Sequence, residues 1–153
     1  MKSKKSPSLR ITSRSRHAVM AMVELAQKSQ GDPVPLSKIA ASGNISLSYL
    51  EQLFAGLRRH GLVKSYRGPG GGYILAKPAA QIGISEILIS AEDCVPAGRN
   101  NANDDFGNDQ TNALWSHIGD MLQVVLQHVS LEDVTNDNLG AHPVTNKLFE
   151  SLR

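Results

Sequence analysis

The chain holds a single cysteine, Cys94, among 153 residues. One copy can therefore form no internal disulfide and no all-cysteine metal site. It also lacks the run of roughly 18 apolar residues that a membrane-spanning helix needs. Met1–Ser6 is basic, but no apolar stretch follows it, so a secretory leader is not expected. His17, His60, His117, His128 and His142 are scattered, with no HExxH spacing for zinc, and are read as structural. No G-x-S-x-G nucleophile elbow occurs either. These absences exclude the commoner hydrolase and metalloenzyme sites, and the chain is not expected to be an enzyme. A soluble cytoplasmic protein is the expectation, with an apolar fraction of 41% that suits a folded core.

The charges present are unevenly divided. The formal net charge is only +2. Residues 1–80 carry thirteen Lys/Arg against three Asp/Glu, a net of +10, whereas 81–153 carry three against eleven, a net of −8. A basic half beside an acidic half suits one face that meets a polyanion and another with different work. A dipolar surface without a partner has the same totals, so charge alone does not decide.

The order of elements is more specific. Residues 1–9 read as a basic arm. Ala18, Met22 and Ala26, beside Val19 and Val23, predict a helix from Ser13 to Gln27 capped by Thr12 or Ser13. A short helix follows from Leu36 to Ser42, and Gly43-Asn44 offers a tight turn. A third helix runs from Ser46 to His60, with Leu50, Leu53, Phe54 and Leu57 on its buried side. Strands at 62–67 and 73–75 flank Gly68-Pro69-Gly70-Gly71-Gly72. Helix, short helix, turn, helix and hairpin compose a winged helix-turn-helix. The fold class is thus mainly α with a small β-hairpin wing. Beyond Pro78 a short helix from Ser85 to Ala91 and a polar stretch at 92–110 precede a long helix from Thr111 to Val129. Leu114, Ile118, Met121, Leu122, Val125 and Val129 give that helix a broad apolar face that fits a partner helix. Residues 135–153 read as a loosely structured tail.

A recognition helix must bury one side and offer short polar and bidentate groups from its first two turns, which reach base edges in the major groove. Ser46, Ser48, Tyr49 and Gln52 satisfy that requirement, with Arg59 further along the same face. Glu51 is unusual there, because a carboxylate repels phosphates; it can accept from cytosine N4 or penalise a wrong sequence. The plain alternative is a surface helix that Ser46 merely caps. Arg67, Gly70 and Gly71 sit at the hairpin tip, where glycine lets the backbone lie close to DNA and Arg67 can enter a minor groove or clamp a phosphate.

With these residues in view, LRITSRSRHAVMAMVELA, VPLSKIA, ISLSYLEQLF, LRRHGLVKSYRGPGGGY and ALW resemble the IscR-type family of bacterial winged-helix regulators of iron–sulfur cluster biogenesis. The resemblance implies a homodimer that binds double-stranded promoter DNA and pairs through the long helix. It implies DNA contacts at Ser46, Ser48, Tyr49, Gln52 and Arg67, with Glu51 discriminating between classes of site. It divides the chain into an arm (1–9), a DNA-binding domain (10–80), an effector loop with dimerisation helix (81–134) and a tail (135–153). The function implied is repression of iron–sulfur or iron-related genes. The family's cluster-sensing members hold a [2Fe–2S] cluster on three cysteines and a histidine, and here those positions resemble Asn100, a residue near Asn103, Asp109 and Asn112. Cys94 then has two readings. It is an inert surface thiol in a regulator controlled by a metabolite or protein partner, or the one thiolate of an atypical cluster.

Overall fold

The computed structural model describes residues 11–92 and 109–151. Helix α1 spans Ser13–Lys28 and begins with a reciprocal capping box. The Thr12 hydroxyl accepts from the Ser15 N–H at 3.2 Å, and the Ser15 hydroxyl accepts from the Thr12 N–H at 2.8 Å. Its inner face carries Ser15, Ala18, Ala21, Met22 and Leu25. The small residues among these let α4 (Ile84–Glu92) approach closely. Helix α2 spans Leu36–Gly43 and ends at Asn44, which takes the left-handed conformation (φ 50°) that Asn tolerates.

Helix α3 spans Leu47–Arg59, capped by the Ser46 hydroxyl, which accepts from the Tyr49 N–H at 3.4 Å. Leu50, Leu53, Phe54 and Leu57 are essentially inaccessible to solvent, as their helical spacing predicts. Strands β1 (Val63–Tyr66) and β2 (Gly72–Leu75) pair antiparallel, with Val63 opposite Leu75 and Tyr66 opposite Gly72. Val34 adds one residue on the other edge of β2: its N–H and C=O both bond Tyr73 at 2.9 Å. The Tyr73 ring then meets Phe54 edge-on, centroids 4.8 Å apart. Backbone bridge and ring contact together fasten the wing to the helices.

The same core continues past residue 80. Ile82, Ile84, Ile87 and Leu88 are buried in it, together with Val129 and Leu131. Helix α5 spans Asp109–Leu126, so the long helix ends three residues before Val129. This corrects the placement of Val129 on an outward dimerisation face. Its side chain is 4% exposed, and its carbonyl accepts from the Ile84 N–H at 2.9 Å. The cause is the bridge between Gly83 and Ser130, which draws the chain back onto the body. Leu122 also belongs on the inner side, where it packs with Leu126 against the core. Leu114 and Met121 stay more than half exposed, while Ile118 and Val125 are half-buried.

Helix α6 (Leu131–Thr135) starts with a second capping box. The Asp133 carboxylate accepts from the Ser130 hydroxyl at 2.7 Å and from the Ser130 N–H at 2.9 Å. Those two donors hold the Asp133 carboxyl below the usual carboxylate range, the hydroxyl contributing most. A 3-10 turn at Asn138–Ala141 and helix α7 (Pro143–Ser151) occupy the region that the sequence suggests is loose. His142 helps to tie them down, lying 3.6 Å from the Asp133 carboxylate.

Two outcomes follow from this packing. Gly72 has φ 155°, and a Cβ there would overlap the Val34 carbonyl. Gly72→Ala should therefore cost about 2–3 kcal/mol in urea unfolding by prising the wing from Val34. Asp133→Asn should lower stability at neutral pH by about 1 kcal/mol, the usual worth of a cap. Because the folded carboxyl titrates below its unfolded value, the deficit should shrink as pH falls through that lowered value. Urea melts at neutral and acid pH check both.

Candidate nucleic-acid interface

Burying one side of α3 decides what its other side presents. Ser46, Ser48, Glu51 and Gln52 are all exposed across its first two turns. The first turn contains no acidic residue, so its free N–H groups and the positive end of the helix face outward without a resident anion. Arg58 and Arg59 occupy the last turn, where a cation suits the negative end. Arg58 donates to the Ser65 hydroxyl at 3.3 Å and so braces α3 against β1. Arg59 is solvent-exposed near it.

At the wing, Arg67, Gly68, Pro69 and Gly70 are exposed and Gly71 is half-buried. A turn closes through the Gly71 N–H bonding to the Gly68 carbonyl at 2.9 Å. Gly68 and Gly70 have φ of 96° and 74°, which L side chains rarely adopt. The tip is consequently bare backbone with one guanidinium beside it. Lys64 and Tyr66 are exposed along β1, Tyr66 by 50%. Basic and polar groups from α3 and the wing therefore belong to one rigid unit. Glu24, one of few carboxylates in the basic half, is engaged elsewhere: Lys28 hydrogen-bonds it at 2.7 Å and holds it below the usual carboxylate range.

Tyr49 differs from its neighbours. It is half-buried, and its hydroxyl lies 3.2 Å from His17 Nδ1 on α1. The sequence treats Tyr49 as a free surface group and His17 as merely structural, and nothing in their spacing of 32 residues pairs them. Leu47, at the first position of α3, is 45% exposed.

Cys94, Asn100 and Asn103 lie outside the described residues. Among the described residues no three His, Cys, Asp or Glu converge as a metal site. No described helix is long and apolar enough to cross a membrane.

A helix-turn-helix with a basic, glycine-tipped wing is a nucleic-acid-binding architecture. Comparison with known proteins places it further: residues 11–137 match the Rrf2 family model, described as an iron-dependent transcriptional regulator. The chain belongs to the Rrf2 family. Among its relatives, the HTH-type transcriptional regulator IscR of Photorhabdus laumondii is 45% identical over 132 residues, covering 84% of this chain and 80% of that protein. IscR of Escherichia coli is 43% identical over a similar span, 84% of this chain and 82% of that protein. The solved structure of T. potens IscR superposes with a TM-score of 0.66 at 34% identity, covering 87% of this chain and 90% of the other. CymR, the global cysteine regulator of B. subtilis, gives 0.64 at 36% identity, covering 84% and 97%. The winged helix-turn-helix reading holds, and this Rrf2 protein is a DNA-binding transcriptional regulator rather than an enzyme.

Within this Rrf2 chain, the exposed groups divide by chemistry into candidates for backbone contact and candidates for base contact. Arg67→Ala should weaken binding across many sequences and reduce the log–log salt slope by about one. Gln52→Ala should instead cost about 1–3 kcal/mol at particular base pairs and leave the slope unchanged. Anisotropy titrations over a salt series separate the two effects.

Proposed function

We propose that the protein is a homodimeric, sequence-specific repressor of iron–sulfur or iron-related genes. The observation that carries the DNA reading is the exposed Ser46–Gln52 face of α3 beside Arg67 on a wing locked to the same core. In use, α3 enters a major groove, where Gln52 pairs with adenine and Glu51 accepts from cytosine or excludes a wrong base. Ser46 and Ser48 donate to phosphates, while Arg67, Gly70 and Gly71 lie along the adjacent backbone or minor groove. The IscR relatives support iron–sulfur genes as targets.

The dimer reading rests on α5. Leu114, Trp115, Met121 and Val124 are each more than half exposed, which is unusual for so many large apolar side chains on one helix. Leu114, Ile118, Met121 and Val125 recur at heptad spacing, the pattern of a helix that pairs with its own copy. Two winged units held this way read half-sites about 10 base pairs apart, or a multiple of that.

The donor set does not fit the family's three-cysteine cluster. The chain supplies one thiol, and carboxamides such as Asn100 and Asn112 do not replace soft thiolates. This favours a regulator governed by a metabolite or protein partner, with Cys94 an inert thiol. An atypical iron–sulfur cluster on Cys94 is the competing reading. Protein purified without air should be colourless, with operator affinity indifferent to iron and sulfide. Iron-dependent visible absorbance that disappears in Cys94→Ala would reverse the preference.

Leu114→Asp with Met121→Asp places four charges in the paired seam and should convert dimer to monomer in sedimentation at micromolar concentration. Affinity for a palindrome should fall at least tenfold, while affinity for one half-site stays as in the wild type. A wild-type monomer under these conditions overturns the dimer reading. Gel shifts with promoters of iron–sulfur assembly genes, against scrambled duplexes, test the targets.

A further inference from the structure

We propose that His17, on α1, is a positioning residue for the DNA interface, holding the Tyr49 hydroxyl so that it donates to the sugar–phosphate backbone. The inference deepens the function proposed above and rests on it. His17 Nδ1 and the Tyr49 hydroxyl are 3.2 Å apart, and the two rings meet edge to face at 5.6 Å and 88°. Both residues are half-buried. Tyr49 lies three residues after Ser46 and three before Gln52, in the first turns of α3. Its phenol is the largest polar group there, and unlike its exposed neighbours it is anchored by another helix.

A phenol has one donor and two acceptor sites. With the proton on Nδ1, the imidazole donates to the phenol oxygen and leaves the O–H directed outward. Phosphate oxygens only accept, so a freed O–H is the form that can bind them. The contact also removes rotational freedom from Tyr49 before DNA arrives, which lowers the ordering cost of binding. By this account the interface includes α1 as well as α3 and the wing.

The test is a double-mutant cycle, read by anisotropy on a fluorescein-labelled duplex that the wild-type protein selects from a random-sequence pool. Tyr49→Phe and His17→Phe should each weaken binding about three- to tenfold, the worth of one hydrogen bond. Phe at position 17 keeps the ring contact, and urea melts confirm that each variant is folded. The double variant should bind no worse than either single one, because His17 acts only through the hydroxyl. His17→Asn, which retains an N–H near the Nδ1 position, should restore most of the affinity. Multiplying losses, or an Asn variant as weak as Phe, overturns the proposal. If both Phe variants bind like wild type while Arg67→Ala weakens binding, the proposal falls and the interface stands. If Arg67→Ala and Gln52→Ala also bind like wild type, the interface falls and takes the proposal with it.

Discussion

Everything that the outer face of α3 can do depends on the burial of its inner one. Leu50, Leu53, Phe54 and Leu57 fix the rotation of the helix about its own axis. Turning it by one residue, about 100°, would drive Glu51 toward the core and lift Leu53 into water. Burial of four large apolar side chains is worth on the order of 6–12 kcal/mol. Few-kcal contacts to bases do not reorient such a helix. The direction in which the polar face points is therefore specified by the apolar residues.

The wing inherits that rigidity. A two-stranded hairpin is marginal in water, and this one has only four residues in each strand. It is held by the Val34 bridge, by Phe54 against Tyr73, and by Arg58 reaching Ser65. Phe54 thus serves two elements at once: it seats α3 and receives the wing. Arg67 is consequently placed relative to Gln52 by packing rather than by the flexible glycines beside it.

Most of this was legible because it is local. Helix periodicity, the Gly43-Asn44 turn and the glycine-rich tip are signals read within a few residues, and α1 to β2 lie where those signals put them. Two features depend on contacts distant in sequence. The Gly83–Ser130 bridge ends α5 early and buries Val129. The pairing of His17 with Tyr49 joins two helices whose individual patterns say nothing of each other. A period identifies a face, but only the tertiary arrangement says how far along the helix that face is covered.

The same distinction bears on α5. Its apolar face was visible in the sequence, yet the face has two fates along its length. Leu122 and Leu126 pack on the chain's own core near the C-terminal end, whereas Leu114 and Trp115 near the other end are exposed. With Met121 and Val124 exposed as well, α5 carries apolar surface that the winged body leaves uncovered. A second copy pairing along that surface would be joined to the first winged unit through α5 and the bridge at Ser130. In the proposed dimer, the separation of the two α3 helices would be governed by the packing of Val129, Ile82 and Leu131, which are buried. The residues that orient α3 and those that would set the spacing in the proposed dimer thus meet in a single core.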